Sequence, residues 1–276
     1  MPELPEVETT KRGLAPVLEG KRIIKVHQRR DNIRIPIPTD FVKRIEGQKL
    51  KTIVRRAKYL QMFLESGDVI ICHLGMSGKF VIKAKDKTSF AKHDHVIFET
   101  DQGMLAIYND PRRFGIMTIC SEDELEGHKL FKEMAAEPLG NEFNGEYLYE
   151  KIYKSNSTIK ALLLNQKVVL GLGNIYVCEA LNKAKISPYR KGTEISKEDT
   201  ERLVPLIRDI LSRAIEAGGS TLKDFAGADG DLGYFQHQFI AYGCENEGCH
   251  NRGCKGTIER INQGGRSTFY CPQCQK

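Results

Sequence analysis

Residues 249–274 read CHNRGCKGTIERINQGGRSTFYCPQC, and this stretch contains four of the chain's eight cysteines. Cys249 and Cys254 form one pair, and Cys271 and Cys274 form the other. Between the pairs lie two strand-like runs, TIERI and STFYC, joined by the turn-forming sequence NQGGR. Four thiolates at this spacing predict a closed tetrahedral Zn²⁺ site on a β-hairpin. A ribbon of this size is too small for its own core, so the metal is expected to hold it folded.

The first cysteine pair is ambiguous in the sequence. Cys244 stands as far from Cys249 as Cys249 stands from Cys254, so spacing alone does not choose between them. His250 is a competing ligand of a type that zinc accepts. Disulfide bonds are the alternative to zinc, but the N-terminus lacks the pattern of a secretory signal, which favours a reducing compartment. In the zinc interpretation, Arg266 lies at the hairpin tip, where it could contact a phosphate.

The composition is that of a soluble globular protein with room for two ordinary domains. The chain has 276 residues, of which 40% are hydrophobic and 28% are charged. It has no uninterrupted apolar run near the length of a membrane-spanning helix, so we expect no membrane association and a cytoplasmic location. Three isolated cysteines, Cys72, Cys120 and Cys178, stand in apolar surroundings and are predicted to be small buried side chains.

Positive charge is concentrated in one region of the chain. Residues 21–60 contain 13 Lys and Arg against 3 Asp and Glu, a local surplus of +10 in a chain whose net charge is +6. Such segregation indicates a basic face that meets a polyanion, of which nucleic acid is the leading candidate. A solvated basic face without a partner is the alternative.

The hydrophobic pattern changes along the chain. From about residue 21 to 120, strand-like runs alternate with turn signals, which predicts a β-sandwich or a barrel-like sheet. The Pro- and Gly-rich stretch at 137–145 is interpreted as the connection to a helical region. There an apolar stripe from Leu203 to Ala214 predicts one helix, with Ser196 and Asp199 as its capping box. The fold class is therefore α+β, with a zinc hairpin at the end.

The N-terminal sequence MPELPEVETT is only partly explained by helix chemistry. Pro5 suits the first turn of a helix, and Glu6 and Glu8 suit the positive end of its dipole. Pro2 and Glu3 have no such explanation.

Three internal motifs carry candidate functional residues. GLGN at 171–174 lacks the third glycine of a dinucleotide fingerprint, so no nucleotide cofactor is predicted, and Asn174 is expected to be the N-cap of the following helix. HLGMSG places Met76 in a glycine turn, and DPRRFG places Arg112 and Phe114 in a loop. An arginine beside an apolar wedge is a combination that enters duplex DNA, although Met76 and Phe114 could also be core residues.

Seven motifs in one order resemble the formamidopyrimidine-DNA glycosylase family, bacterial base-excision repair enzymes that remove oxidised purines such as 8-oxoguanine. The motifs are MPELPEVET, RRAKYL (55–60), HLGMSG (73–78), KHDH (92–95), DPRRFG (110–115), GLGNIY (171–176) and GGRSTFYCPQCQ (264–275). The resemblance implies an N-terminal catalytic β-sandwich domain with flanking helices at 1–136. It further implies a helix-two-turn-helix DNA-binding domain at 137–235, a zinc-finger hairpin at 236–276, and a monomer that binds damaged double-stranded DNA.

The resemblance also implies the catalytic residues. Pro2, exposed by removal of the initiator Met, would be the nucleophile through its secondary amine. Glu3 would be the general acid/base, Lys58 the proton donor in β-elimination, and Arg266 the residue linked to δ-elimination and phosphate binding. Glu6 would support the pocket by hydrogen bonding. An α-amino group has a pKa of about 7.7–8, against about 10.4 for lysine, so far more of it is neutral and nucleophilic near pH 7.

DNA contacts and metal ligands follow from the same resemblance. Met76, Arg112 and Phe114 would fill the gap left by the extruded base, and residues 222–236 would close over that base. The further DNA-binding positions are His73, His93, Lys154, Lys160 and Asn174, although the sequence YKSNSTIK departs from the family's lysine-rich stretch around Lys154. Alignment backwards from QGGRSTFYC makes Cys249, Cys254, Cys271 and Cys274 the ligands of one structural Zn²⁺ and leaves Cys244 spare.

Two other functions remain open in the sequence. Endonuclease VIII, a sister enzyme that prefers oxidised pyrimidines, shares the nucleophile, the fold and the hairpin, although RRAKYL, KHDH and Leu4 favour the purine enzyme. A non-enzymatic zinc-ribbon protein would explain the basic region and the cysteines, but it has no use for a proline amine beside Glu3.

Overall fold

Strand-like runs separated by turn residues in the first half of the chain form paired strands, and the helical period of the second half produces packed helices. The computed structural model describes residues 2–85, 89–220 and 233–276. Two compact units are formed: the first from Met1–Lys132 and Ala217–Tyr234, the second from Glu133–Glu216 and Phe235–Lys276.

The first unit contains two four-stranded antiparallel sheets. Its strands are β1 (Ile23–Gln28), β2 (Leu50–Arg56), β3 (Tyr59–Leu64), β4 (Asp68–His73), β5 (Lys79–Ala84), β6 (Asp94–Thr100), β7 (Met104–Asn109) and β8 (Ile116–Ser121). One sheet has the order β1-β6-β7-β5 and the other has the order β2-β3-β4-β8. Side chains from both sheets meet in one hydrophobic core, which confirms the predicted β-sandwich.

A helix begins at the N-terminus and closes one side of this core. In the part of the first unit that the structure describes, three helices are present: α1 (Leu4–Leu18), α2 (Phe41–Ile45) and α3 (Glu122–Leu125). Val7, Leu14 and Leu18 of α1 are fully buried in the core, as their spacing predicts. Pro5 occupies the first turn, where its missing N–H costs no hydrogen bond.

The second unit combines helices with the terminal hairpin. Its elements are α4 (Gly145–Ile152), α5 (Ile159–Leu164), α6 (Asn174–Ala184), α7 (Lys197–Glu216), β9 (Glu259–Gln263) and β10 (Arg266–Tyr270), with short 3₁₀ turns at Gly192–Glu194 and Phe235–Gln238. The predicted capping box is confirmed, because Ser196 N–H donates to Asp199 Oδ2 and Asp199 N–H donates to Ser196 Oγ. The helix α7 then continues across Pro205 to Glu216.

The hairpin turns through two glycines. Gln263 pairs with Arg266, and the intervening Gly264 and Gly265 have φ angles of +59° and +74°. Positive φ at both central residues is the geometry of a tight hairpin turn that glycine adopts without strain. No helix within the described ranges has the length and hydropathy needed to cross a membrane.

Candidate functional site

Pro2 and Glu3 form the buried entrance to α1. Both residues are buried, and Glu3 is only 2% exposed. Glu3 is the N-cap of the helix, and its carbonyl accepts a hydrogen bond from Val7 N–H at 3.1 Å. The burial of both residues and the hydrogen bond of Glu3 therefore anchor this segment, whereas unanchored chain ends fray.

Glu6 holds the peptide group that follows Pro2. Its Oε2 accepts a hydrogen bond from Glu3 N–H at 2.9 Å, and its Oε1 accepts from Ser220 N–H at 2.8 Å and from Ser220 Oγ at 2.9 Å. Gly219 makes this approach possible, because it has a φ of +78° and a Cβ there would lie 3.1 Å from Glu6 Oε1. One buried carboxylate thus joins the chain end to a segment more than 200 positions away.

Lys58 lies in the two-residue turn between β2 and β3 and is 8% exposed. The turn is connected to α1 through Arg55, whose Nε donates to Glu8 Oε2 at 3.1 Å and whose Nη1 donates to the carbonyl of Ala57 at 2.9 Å. Burial raises the pKa of Glu8, but Lys11 and Arg55 outweigh it and lower the pKa overall. The sequence carries no signal of this link, because Glu8 and Arg55 are far apart in the chain.

His73 ends β4 opposite Tyr59 of β3, at the same end of the sheet as the turn that carries Lys58. Its Nδ1 accepts a hydrogen bond from Gly75 N–H at 3.0 Å, so Nε2 is the nitrogen that carries a proton. Burial, together with the positive charges of Lys58 and Arg34, lowers the pKa of His73 to about 4. His73 is therefore a neutral N–H donor near pH 7.

Met76, Arg112 and Phe114 lie on two loops that touch each other. Met76 is half-buried in the turn after β4, whereas Arg112 and Phe114 are exposed, Phe114 by 44%. A Cβ at Gly75, beside Met76, would lie 2.4 Å from the carbonyl carbon of Phe114, so the loops meet backbone to backbone. The guanidinium of Arg112 stands over the Phe114 ring, 5.0 Å from its centroid. The structure thus brings together three residues that sequence analysis took from two motifs.

Two other predicted DNA-binding residues lie at the protein surface. His93 precedes β6 and is half-buried, and its carbonyl accepts a hydrogen bond from Asp110 N–H at 3.0 Å. Lys154 follows α4 and is exposed, with its Nζ 4.9 Å from the centroid of the Tyr153 ring.

Lys160 and Asn174 converge on the first residues of β10. Lys160 is 1% exposed, and its Nζ donates to Thr268 Oγ1 at 2.5 Å and to the carbonyl of Ser267 at 3.2 Å. Asn174 Nδ2 donates to the same carbonyl at 2.8 Å. Burial and the nearby charge of Arg266 lower the pKa of Lys160. Both side chains thus fix the strand that Arg266 begins.

The prediction that Asn174 is the N-cap of α6 is wrong by one position. Gly173 is the N-cap, and Asn174 is the first helical residue. From this position its side chain reaches across to the hairpin instead of turning back to the helix N–H groups. Its Oδ1 is buried and has no hydrogen-bond partner within the described ranges.

Arg266 is exposed at the hairpin tip, as predicted. A cavity of about 420 Å³ lies between α5 and the tip, lined in part by Thr158, Asn165, Gln263 and Arg266. Gln263 Nε2 bridges the two elements by donating to Thr158 Oγ1 at 3.2 Å and to the carbonyl of Pro188 at 3.0 Å.

The four cysteines predicted to bind zinc form one cluster. The sulfur atoms of Cys249, Cys254, Cys271 and Cys274 all lie within 4.8 Å of one another. The Cys249–Cys274 and Cys254–Cys271 sulfur distances are 3.6 and 3.7 Å. Tetrahedral Zn–S bonds of about 2.3 Å place the sulfurs about 3.8 Å apart, so the donor set fits Zn²⁺.

The structure also resolves which cysteine is spare. Cys244 is buried outside the cluster, with its Sγ near the carbonyls of Phe239 and Tyr242 at 3.7 and 3.8 Å. His250 is exposed and is not a member of the cluster. Cys72, Cys120 and Cys178 are buried, as predicted.

Two polar residues that hold the segments around the cysteine cluster have no signal in the sequence. Glu179 of α6 is 3% exposed and accepts hydrogen bonds from the N–H groups of Ile240, Ala241 and Tyr242. Asn251, between the first two cysteines, donates to Cys274 Sγ at 3.4 Å. Neither residue has a distinctive spacing. The predicted closing loop at 222–236 lies mostly outside the described residues.

Three family models match the chain in order. They are the formamidopyrimidine-DNA glycosylase N-terminal domain over residues 1–117, the formamidopyrimidine-DNA glycosylase H2TH domain over residues 134–226, and the zinc finger found in FPG and IleRS over residues 249–276. Together they cover most of the sequence.

Similar proteins span the same length. The formamidopyrimidine-DNA glycosylase of Ruegeria pomeroyi is 48% identical over 283 residues, and that of Afipia carboxidovorans is 49% identical over 294 residues, with 100% of each chain covered in both alignments. Among solved structures, a Lactococcus lactis FPG mutant in complex with Fapy-dG containing DNA superposes with a TM-score of 0.90 at 35% identity, again covering 100% of both chains.

Proposed function

Since the chain belongs to the formamidopyrimidine-DNA glycosylase family, as its motifs predicted, we propose that it removes oxidised purines from DNA and then cleaves the strand at the abasic site. The substrate class is damaged double-stranded DNA, and formamidopyrimidines and 8-oxoguanine are the lesions expected. The observation that carries this proposal is the anchored N-terminus, where Glu6 holds the Pro2–Glu3 peptide in place.

Pro2 is proposed as the nucleophile once Met1 has been removed. Its secondary amine attacks C1′ of the damaged nucleotide and loses its proton, and the base leaves with the electrons of the glycosidic bond and takes up a proton. The C1′–O4′ bond then opens, O4′ is protonated, and a Schiff base to the ring-opened sugar results. The α-amino pKa of about 7.7–8 leaves a substantial neutral fraction at pH 7. Because the Glu3 N–H is fixed by Glu6, the amine on the other side of that peptide group starts close to one orientation.

Glu3 and Lys58 are proposed to move protons around this amine. Glu3 is the acid/base group next to the nucleophile, and general acid/base catalysis contributes about 10²–10⁴-fold. Lys58 is the proton donor in β-elimination, and the Arg55 bridge from Glu8 to Ala57 supports its turn. Glu6 is a positioning residue.

The DNA must be distorted before Pro2 can reach its target carbon. Met76, Arg112 and Phe114 are proposed to occupy the gap left when the damaged nucleotide leaves the stack. Their arrangement on adjoining loops, with Phe114 exposed, supports this role. His73, as a neutral donor, together with His93 and Lys154, would contact the backbone of the DNA.

The hairpin is proposed to present Arg266 to a phosphate and to assist the second elimination step. Lys160 and Asn174 would act mainly by fixing the start of β10, because both donate to the carbonyl of Ser267. Zn²⁺, held by the four clustered cysteines, would supply the folding energy of the hairpin and take no part in the chemistry.

The domain organisation and cellular setting complete the proposal. We propose a division along the sequence into a catalytic β-sandwich domain (1–136), a helical DNA-binding domain (137–235) and a zinc hairpin (236–276), although Ala217–Tyr234 belong to the same compact unit as the β-sandwich. We expect a monomer that acts in the bacterial cytoplasm, a setting compatible with eight cysteines that form no disulfide bond.

Covalent trapping tests the nucleophile. Borohydride should fix the Met-processed protein to a duplex that contains 8-oxoguanine, and Pro2→Gly or a blocked N-terminus should strongly reduce the yield. The absence of trapped complex with processed wild-type protein would refute the mechanism. The same result would favour the alternative in which the chain is a non-enzymatic zinc-ribbon protein that binds nucleic acid.

Comparison of two substrates separates the two enzymatic alternatives. The proposal predicts faster release of 8-oxoguanine than of dihydrouracil under single-turnover conditions. The opposite order would assign the chain the preference of endonuclease VIII.

A further inference from the structure

A fully buried carboxylate lies directly behind the two loops that carry Met76, Arg112 and Phe114. Asp110 follows β7 and is 0% exposed. Its Oδ1 accepts a hydrogen bond from Ser77 Oγ at 2.7 Å, and its Oδ2 accepts from Gly115 N–H at 2.9 Å. Each loop therefore donates to a different oxygen of the same side chain.

The partners of Asp110 are the immediate neighbours of the exposed residues. Ser77 follows Met76, and its Oγ also accepts a hydrogen bond from Arg112 N–H at 3.2 Å. Gly115 follows Phe114. A displacement of Asp110 would therefore reach Met76 and Arg112 through the Ser77 hydroxyl. It would reach Phe114 through the peptide N–H of Gly115.

Backbone hydrogen bonds fix Asp110 itself. Its N–H donates to the carbonyl of His93 at 3.0 Å, and its carbonyl accepts from Arg113 N–H at 3.3 Å and from His95 Nε2 at 2.8 Å. Because a carbonyl oxygen only accepts, the last bond requires the tautomer of His95 that carries a proton on Nε2. Asp110 is thus held by β6 on one side while its side chain holds the loops on the other.

Close packing leaves these loops little freedom to move separately. The Tyr108 hydroxyl donates to Asp110 Oδ2 at 3.3 Å, and it would lie 1.8 Å from a Cβ placed on Gly115. Gly75 meets the Phe114 backbone in the same way. Such tight contacts allow one arrangement, and a buried charge that receives several hydrogen bonds enforces it.

The donors to the Asp110 side chain are a hydroxyl, a peptide N–H and a phenol, all of them uncharged. Burying a carboxylate among neutral donors costs more free energy than burying an apolar side chain of the same size. Core stability alone therefore does not account for a carboxylate here, whereas joining two loops by one group does.

We propose that Asp110 is a positioning residue that joins the Met76 turn and the Arg112–Phe114 loop into a single preformed wedge for duplex DNA. The inference rests on the proposed function, and it adds the group that sets the geometry of the wedge. Ser77 is a second positioning residue, because its hydroxyl donates to Asp110 and accepts a hydrogen bond from the Arg112 N–H.

The test compares two substrates that differ in their need for a wedge. In duplex DNA the wedge must hold the place of an extruded nucleotide, whereas a single-stranded oligonucleotide with an abasic site has no opposite base to separate. Asp110→Asn and Ser77→Ala should each lower the single-turnover rate on lesion duplex by about tenfold or more, and change trapping on the single strand by less than about twofold.

Asp199→Asn is the matched control. Asp199 is also a buried carboxylate, 8% exposed, that caps α7 through Ser196 and binds Arg190. It should lose stability without a selective loss on duplex DNA. Equal losses on both substrates by Asp110→Asn and Ser77→Ala would overturn the inference, and Ser77→Ala alone decides if Asp110→Asn does not fold. Failure of wild-type protein to trap either substrate would instead refute the proposed function.

A double mutant supplies a second readout. If Asp110 acts through Phe114, then Asp110→Asn should reduce duplex activity far less in a Phe114→Ala background than in the wild type. A 2-aminopurine base beside the lesion, whose fluorescence rises when it unstacks, should respond weakly in Asp110→Asn and normally in Asp199→Asn. Additive losses with a normal fluorescence response would exclude the wedge as the route of action.

Discussion

Glu6→Gln is the sharpest test of how the N-terminus is held. Among the residues that the structure describes, the carboxylate accepts hydrogen bonds from Glu3 N–H at 2.9 Å, Ser220 N–H at 2.8 Å and Ser220 Oγ at 2.9 Å. A glutamine has one accepting oxygen and one donating amide. In its better orientation the oxygen faces Ser220, so the amide faces the buried Glu3 N–H and two donors oppose each other.

The expected loss of stability can be calculated from the lost hydrogen bond between residue 6 and Glu3 N–H. A hydrogen bond to a charged group contributes about 1.5–3 kcal/mol, and the buried N–H left without an acceptor adds to the cost. We therefore expect Glu6→Gln to lower the free energy of unfolding by about 2–3 kcal/mol, or Tm by about 4–12 °C for a unit of this size. The lost bond is also the one that orients the peptide after Pro2, and a small misplacement of a reacting group can cost about 10²-fold in rate.

The assay measures borohydride trapping and thermal unfolding on the same samples. Glu99→Gln is the matched control, because Glu99 is a 5% exposed carboxylate of β6 that binds Lys85 and His27. Both variants should lose stability, but only Glu6→Gln should trap about 10²-fold more slowly below its Tm. Wild-type trapping by a destabilised Glu6→Gln protein would show that Glu6 acts on stability alone, and an unchanged Tm would refute the hydrogen-bond argument.

Three further predictions concern other parts of the chain. Cys249→Ser should lose the bound zinc measured by native mass spectrometry, whereas Cys244→Ser should retain one zinc per chain, because only Cys249 belongs to the cluster. Burial, with Lys58 and Arg34, lowers the pKa of His73 to about 4. The unfolded chain therefore binds the proton better, and the free energy of unfolding should fall as pH drops from about 6.5 towards 4. Urea titrations should show a flatter pH dependence for His73→Asn. Gly75→Ala should lower duplex excision by at least about tenfold, because a Cβ 2.4 Å from the Phe114 backbone must displace the loop; unchanged excision would contradict the proposed contact between the loops.

Local patterns in the sequence predicted local structure well. The first turn of α1 with its Pro5, the Ser196–Asp199 capping box and the hairpin turn each depend on residues within a few positions of one another, and each is present. The predicted fold class is confirmed for the same reason, since strand and helix periods are properties of short windows. Element ends were less accurate: the strand predicted at 257–261 lies at Glu259–Gln263.

Contacts between distant segments could not be read from the sequence. Cys249 and Cys244 were indistinguishable by spacing, and only folding separates their sulfur atoms. Asn174 was expected to serve its own helix, yet its amide contacts a strand 93 positions away. Glu6 was recognised as a supporting residue through a family resemblance, but its partner Ser220 has no local signal at all. In each case a buried polar group is satisfied by a segment whose position depends on the completed fold.

The discontinuous first unit has a consequence for the order in which the protein becomes competent. Ser220, which completes the hydrogen bonds of Glu6, is synthesised 214 residues after it. At about 5–20 residues per second, the N-terminus leaves the ribosome about 10–40 s before its partner is made. Throughout that interval Glu6 of α1 lacks its hydrogen bonds to Ser220. All of α7 must be translated before Ser220 is added to the chain. The Pro2 amine, which we propose as the nucleophile, would thus be fully positioned only after most of the helical unit that follows it has been made.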